Sequence, residues 1–287
     1  MREKAQHFDP RQEMQRKNYE IFHYRDAQPD SVAVHHHDFY EVYFFLGGNV
    51  EYSIEGQGYQ LQPGDVLLIS PMELHQPRIR AGADAYERIV LWLNPAFLAG
   101  LSTEQTSLTR CFDTSQPGHV NLLRLPPAPR AALLGYLSAL LRETYDSAYG
   151  GDVMATGVLL QLLAELNRLA LDAGAAPPAA GRAAPRLARG VAEIKAHYSE
   201  VLTRDPLSAR FYVSKYHLSH EFNRLVGTSV YRYIILKRLL IAKQMLAGGV
   251  PPTDVYRHCG FRDYSNFYRS FRAEYGISPK QYADSVR

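Results

Sequence analysis

DYSNFYRSFRAEYGISPKQY, residues 263–282, repeats the pattern of SKYHLSHEFNRLVGTSVYRY, residues 214–233, at a constant offset of 49 positions. The matched positions are Ser214/Asp263, Leu218/Phe267, Phe222/Phe271, Gly227/Gly276, Ser229/Ser278 and Tyr233/Tyr282. Each has a local role. Ser or Asp four residues ahead of an apolar anchor suits a helix N-cap. Leu218/Phe222 and Phe267/Phe271 are i,i+4 pairs, one stripe of an amphipathic helix. Gly227 and Gly276 fall where a helix closes on a left-handed residue. The pattern predicts one short capped helix written twice.

Working outward, each copy follows another short helical stretch, Thr203–Phe211 before the first and Pro252–His258 before the second, the latter leading into Cys259-Gly260-Phe261. Short helix, tight turn and capped amphipathic helix is the helix-turn-helix layout. Between the units, Tyr231–Ala247 reads as one longer helix ending at Gly248-Gly249. The solvent faces of the repeated helices offer Lys215, Tyr216, Ser219, His220, Asn223 and Arg224 in one copy and Tyr264, Ser265, Asn266, Arg269 and Arg272 in the other. These donors, acceptors and rings are of the types that reach phosphates and base edges in a major groove; Arg269 suits a guanine edge and Asn266 an adenine. A single such helix reads more simply as a solvated face. Two copies in a basic segment reverse that preference. Residues 187–287 hold 16 Lys/Arg against 8 Asp/Glu, and residues 1–186 hold 16 against 21, within a chain of net charge +3. That asymmetry fits a polyanionic partner for the C-terminal third.

The stretches SKYHLSHEFNRLVGTSVYRYI, LKRLLIAKQML and CGFRDYSNFYRSFRAEYGISPKQY resemble the AraC/XylS-type transcriptional regulators over about 100 residues, most specifically in the Gly-Phe-x-Asp-x-x-x-Phe-x-x-x-Phe run from Gly260 to Phe271. The resemblance implies an all-α module of seven helices with two helix-turn-helix units, each placing a helix in the major groove. By position it makes Tyr216, Ser219 and His220 base readers of the first unit, and Tyr264, Ser265, Asn266 and Arg269 those of the second. Two positions depart from the pattern. Tyr256 stands where the family has a small alanine, and His220 where a longer basic side chain is common.

Ahead of this module, residues 172–186 (DAGAAPPAAGRAAPR) lack large apolar side chains and read as a linker. Residues 128–171 carry leucines at i, i+3, i+4 spacing, Leu133, Leu137, Leu140, Leu141 and then Leu159, Leu162, Leu163, Leu166 and Leu169, broken at Gly150-Gly151-Asp152. That is a helical hairpin whose leucine face must be buried, on its own domain or on a second copy. Residues 19–95 hold short runs rich in Tyr, Val, Ile and Phe, punctuated by Gly47-Gly48-Asn49, Glu55-Gly56-Gln57-Gly58 and Gln62-Pro63-Gly64-Asp65. Such spacing predicts a β-sandwich or barrel.

Within the β region, His35-His36-His37-Asp38-Phe39-Tyr40-Glu41, then Gly48, looks like the first motif of a cupin barrel, and Gln62-Pro63-Gly64-Asp65 through Pro71 to His75 looks like the second. In an extended chain His35, His37 and Glu41 share a face. With His75 they make a donor set suited to a divalent transition metal. The same histidines read first as part of an organic effector pocket without metal, ahead of the metal set, and a structural role is the third reading. Glu73 replaces the glycine usual in the second motif, which weakens the metal case. Tyr40, Tyr43, Tyr52, Tyr59 and Trp92 are suited to stacking on a sugar-like ligand. The candidate effector residues are thus His35, His37, Glu41, Tyr43, His75 and Trp92, and the candidate metal ligands His35, His37, Glu41 and His75.

At 287 residues the chain has room for about two domains. No stretch approaches the roughly 18 apolar residues of a membrane span, and MREKAQHFDPRQEMQRK shows no apolar signal region. Cys111 and Cys259 fit no metal spacing and read as free thiols in the cytoplasm. The expected organisation is a multidomain β and α protein: a cupin-like barrel or jelly roll at 1–126, a hairpin at 127–171 for dimerisation, a linker at 172–186, and the DNA-binding module at 187–287. The expected function is a ligand-responsive regulator of promoter DNA, not an enzyme, with a sugar or related metabolite as effector, a homodimer as the assembly, no membrane, and RNA polymerase as a partner if it activates. A metal-dependent cupin enzyme, or a metal-sensing regulator, is the rival; no nucleophile elbow, phosphate loop or pair of catalytic acids stands elsewhere.

Overall fold

The computed structural model describes residues 13–27, 32–80, 85–146, 148–175 and 215–286. The chain divides into two compact units, with the division at residues 182–183. The stretch Thr203–Phe211, Ser214, the side chains of Lys215 and Leu218, and the linker beyond residue 175 lie outside the described residues.

The N-terminal unit is built on eight strands among the described residues: β1 (Tyr19–Asp26), β2 (Tyr40–Gly47), β3 (Val50–Ile54), β4 (Gln57–Gln60), β5 (Asp65–Ile69), β6 (His75–Ile79), β7 (Tyr86–Leu93) and β8 (Leu122–Arg124). They form a five-stranded sheet in the order β1-β7-β2-β5-β8 and a three-stranded sheet in the order β4-β3-β6, with antiparallel registers. β6 and β8 went unread because HQPRI and LLR are short and lack an alternating apolar pattern. The large sheet is covered on both faces. Side chains alternate along a strand, so Val42, Phe44, Ile89, Leu91 and Leu93 point one way, and Tyr43, Phe45, Val90 and Trp92 point the other. This double burial explains why YEVYFFLG and DVLLI run almost without polar interruption.

The first face meets the helices. A short helix, α1 (Pro95–Leu101), is capped by Asn94, whose side chain accepts from the Phe97 amide at 3.1 Å. The hairpin follows as α2 (Pro127–Tyr145) and α3 (Gly151–Ala175). Leu133, Leu137 and Leu140 of α2 and Leu159, Leu162, Leu163 and Leu166 of α3 are buried in one cluster with the sheet residues. Between the two fates open to the leucine face, the chain uses the first: its own sheet covers it. Each buried leucine contributes about 1.5–3 kcal/mol to that packing. α3 also runs four residues into the segment read as linker. Its stretch Gly151–Gly174 has a mean hydropathy of 1.2, long and apolar enough by composition to cross a membrane, contrary to the expectation that no such stretch exists. Here its apolar stripe packs on the sheet. Gly64, at φ +93° in the Gln62–Asp65 turn, passes so close to the Arg130 side chain that a methyl group there would collide with it, while Arg130 Nη1 donates to the Pro63 carbonyl at 3.2 Å. The turn and α2 are thereby joined.

The C-terminal unit is helical: α4 (Lys215–Val226), α5 (Val230–Ala247), α6 (Pro252–His258), α7 (Tyr264–Tyr275) and α8 (Pro279–Ser285). The repeat is visible in its caps. Asp263 accepts from the Asn266 amide at 2.7 Å, and Gly276 closes α7 at φ +74°; Gly227 closes α4 at φ +85°. Ser229 and Ser278, equivalent in the repeat, cap the next helices by accepting from the amides of Arg232 and Gln281, each at 3.2 Å. The aromatic pairs repeat as well: Phe222 on Tyr233 at 5.4 Å between ring centroids, Phe271 on Tyr282 at 5.9 Å. α5 is the shared spine. Its Ile235, Leu239, Ala242 and Leu246 form one core with Val255, Cys259, Phe261, Phe267 and Phe271.

Candidate functional site

The described residues hold two candidate sites, one in each unit. In the helical unit, burying Phe267 and Phe271 turns the opposite edge of α7 outward. Tyr264, Ser265, Arg269 and Arg272 are exposed and Asn266 is half-buried. On α4, burial of Phe222 leaves Tyr216, His220, Asn223 and Arg224 exposed and Ser219 half-buried. Tyr216 and His220 stack at 6.4 Å, and Arg224 Nη2 pairs with Glu221 at 2.8 Å. The side chain of Lys215 lies outside the described residues. Tyr256, the bulky departure in α6, does not disturb the packing. Its ring meets the edge of Tyr264 at 6.0 Å and its hydroxyl accepts from Arg257 Nε at 3.0 Å, so it buttresses the first turn of α7.

In the N-terminal unit, the inward face of the large sheet and the small sheet flank a small cavity. Its wall includes Tyr24, Tyr43, Tyr52, Tyr86, Arg88 and Trp92, with His35 and Glu41 at one end. Tyr43 and Trp92 are where the sequence placed them. Tyr40 is not; it turns to the helical face and packs on Phe112 at 4.6 Å. Tyr59 packs against the apolar cluster and does not line the cavity. Sequence reasoning missed Tyr24, Tyr86 and Arg88, although residues 86, 88, 90 and 92 share a parity in β7 and Trp92 already marked the inward face.

The polar groups of the cavity are held in place. Tyr43 and Tyr86 share a hydrogen bond between hydroxyls at 2.5 Å. Arg88 is buried, with its guanidinium over the rings of Tyr86 (4.0 Å) and Tyr24 (4.7 Å) and a hydrogen bond to Asp26. Burial pushes the hydroxyls of Tyr43 and Tyr52 well above the ordinary phenol range and that of Tyr86 to about 12, so all three stay protonated. The wall thus presents hydroxyls and one cation on aromatic faces, a chemistry suited to a small oxygen-rich ligand.

At the end of the cavity the four sequence-selected polar residues meet. β2 and β7 set Glu41 opposite Trp92, and Trp92 Nε1 donates to Glu41 Oε2 at 2.9 Å. His35 and His75 bridge the chain through paired backbone hydrogen bonds of 3.1 and 2.9 Å, and their rings lie 4.2 Å apart. His37 Nε2 lies 3.4 Å from Glu41 Oε2, and its ring 4.8 Å from that of His75. Burial pushes the His35 imidazole down to about 4 and the His75 imidazole well below its usual value, so both are neutral at pH 7. His37 and His75 stand behind the cavity wall; His35 and Glu41 are part of it.

Comparison with known proteins matches these two units separately. Residues 18–163 match the AraC-like ligand binding domain, and residues 207–285 match a helix-turn-helix domain. The HTH-type transcriptional activator RhaS of Escherichia coli O157:H7 is 25% identical over 261 residues, covering 86% of this chain and 85% of that protein. The probable transcriptional regulator LumQ of Photobacterium leiognathi is 25% identical over 260 residues, covering 90% and 94%. Among solved structures, the DNA-binding domain of AdpA, crystallised with a target DNA, is 30% identical at a TM-score of 0.35, covering 36% of this chain and 93% of that one. An apo ToxT variant from Vibrio cholerae is 12% identical at a TM-score of 0.40, covering 95% and 99%.

Proposed function

Because the chain belongs to the AraC-type transcriptional regulators, pairing a ligand-binding domain with a helix-turn-helix DNA-binding domain, we propose that it is a cytoplasmic homodimer that activates transcription in response to a small carbohydrate or related polar metabolite. The observation that carries the effector class is the cavity wall: four buried tyrosines, Arg88 and Trp92, whose hydroxyls and ring faces match the alternating hydroxyl and C–H edges of a sugar. The relatives named as activators support the direction of the response and contact with RNA polymerase. Since the leucine face of the hairpin is consumed by the sheet, a second copy would dock on the outward side of α3, where Val153, Met154 and Leu171 are exposed. Tyr216, Ser219, His220 and Asn223 in one unit, and Tyr264, Ser265, Asn266 and Arg269 in the other, are the base and phosphate contacts in this reading, with Lys215 beside them.

Ligand acts only by preferring one of two arrangements of the protein. Trp92 is the chain's single tryptophan and stands in the cavity wall, so its fluorescence reads occupancy directly. Titration of the full chain with a panel of monosaccharides and sugar acids should yield a member that changes Trp92 emission, raises the melting temperature and alters promoter affinity in a gel shift. A panel in which no sugar moves any of the three, while an unrelated metabolite moves all of them, overturns the carbohydrate assignment.

A further inference from the structure

Three imidazoles in the N-terminal unit share an arrangement that packing alone does not require. His35 Nδ1 lies 2.8 Å from the Ala33 carbonyl, His37 Nδ1 2.8 Å from the Phe39 carbonyl, and His75 Nδ1 2.8 Å from the Glu73 carbonyl. A carbonyl only accepts, so in each ring Nδ1 carries a proton, and in the neutral ring Nε2 presents a lone pair. All three Nε2 atoms are buried and none has a hydrogen-bond partner. Leaving one buried acceptor unsatisfied costs about 1–3 kcal/mol; three side by side need an occupant. The fourth group is an acid. Glu41 is 3% exposed, directed by the Trp92 indole, and its carboxylate, His37 Nε2 and a ring nitrogen of His75 all lie within 4.8 Å of one another.

We propose that His37, Glu41 and His75, with His35 as the fourth donor, bind a divalent transition metal of the zinc, nickel or iron(II) class at the end of the effector cavity. A tetrahedral ion with bonds of about 2.0–2.1 Å sets its donors about 3.4 Å apart, and His37 Nε2 and Glu41 Oε2 stand at 3.4 Å already. The ligand atom of His75 lies within 4.8 Å of both. Imidazole-rich sets with one carboxylate take these ions in preference to magnesium or calcium. The second shell is also in place: a backbone carbonyl behind each imidazole and an indole N–H behind the carboxylate, the pattern that fixes ligand tautomer and direction. Four protein donors would close a tetrahedral centre, so the ion would hold the His35–Glu41 part of the wall in place for the effector rather than bind it. This last consequence rests on the sensor reading above; the metal site itself does not.

The test uses the full chain, stripped with a chelator and titrated with cobalt(II) alone. Stoichiometric uptake, a visible ligand-field absorption, a raised melting temperature and displacement by zinc(II) are expected. His37→Ala and Glu41→Gln should abolish the absorption, while His23→Ala, outside the cavity, leaves it unchanged. His75 is fully buried and its variant can fail to fold. Trp92→Phe therefore serves as the gentler probe: it keeps the ring and removes the donor to Glu41, and should weaken cobalt binding about 10–100-fold. Stripped wild-type protein that takes up neither cobalt nor zinc overturns the site, and so does uptake that persists unchanged in both His37→Ala and Glu41→Gln. A sugar that binds the stripped protein in the absence of any metal uptake overturns the metal centre and leaves the sensor reading standing. Metal uptake without response to any organic ligand supports the centre and counts against that reading instead.

Discussion

Arg269 and the two cysteines show how much one position can decide. Arg269 lies on the exposed edge of α7, two residues beyond the buried Phe267 that fixes the helix in place. If it reads a guanine bidentately, it contributes about 1–3 kcal/mol at one base pair. Arg269→Ala should therefore relax the preference at a single promoter position in a binding-site selection; a uniform loss across all sequences would make it a phosphate contact instead. The thiols of Cys111 and Cys259 behave oppositely. Burial pushes both up to about 12, so almost no thiolate exists at neutral pH. Iodoacetamide at pH 8 should leave both unmodified in the native protein and label both in urea, as read by mass spectrometry. Rapid labelling without denaturant would contradict the burial of either site.

At the scale of elements, the repeated helix is what the sequence made most legible, because each of its features is local. A cap, an i,i+4 aromatic pair and a closing glycine are fixed by neighbours within a dozen residues, and Asp263, Phe267, Phe271 and Gly276 each do what their spacing demands. The cavity was legible only in part. His35, His37, Glu41 and His75 converge because the His35–His75 bridge ties the segment ahead of β2 to β6, which the motifs signalled without giving geometry. Tyr86 and Arg88 share the parity of Trp92 within β7, but Tyr24 enters through the β1–β7 register, a non-local property. The bridging strands β6 and β8 were invisible for the same reason: partners, not composition, make them strands. Phe271 tests the local argument. It is fully buried and contacts Phe267, Tyr275 and Tyr282. Phe271→Ala should cost about 3–5 kcal/mol, seen as an early helical transition in thermal circular dichroism, with DNA binding lost and the Trp92 response kept. A loss under about 1 kcal/mol would mean that α7 does not depend on that stripe.

For the whole molecule, the charge is divided in the same way as the labour. The C-terminal third, which holds the helix-turn-helix domain, is basic, and the remainder is mildly acidic. If the two reading helices neutralise about six phosphates, promoter affinity should fall roughly a thousandfold between about 50 and 200 mM salt; a slope near zero in a fluorescence-anisotropy series would remove DNA from the account. The large sheet carries a consequence of its own. Cavity and hairpin lie on its two sides, separated by one thickness of backbone, and neighbouring residues alternate between them: Glu41 and Val42, Leu91 and Trp92. It is stretched like a drumhead between two rooms. Whatever presses on the indole in one is felt, a single peptide unit away, by the leucines in the other.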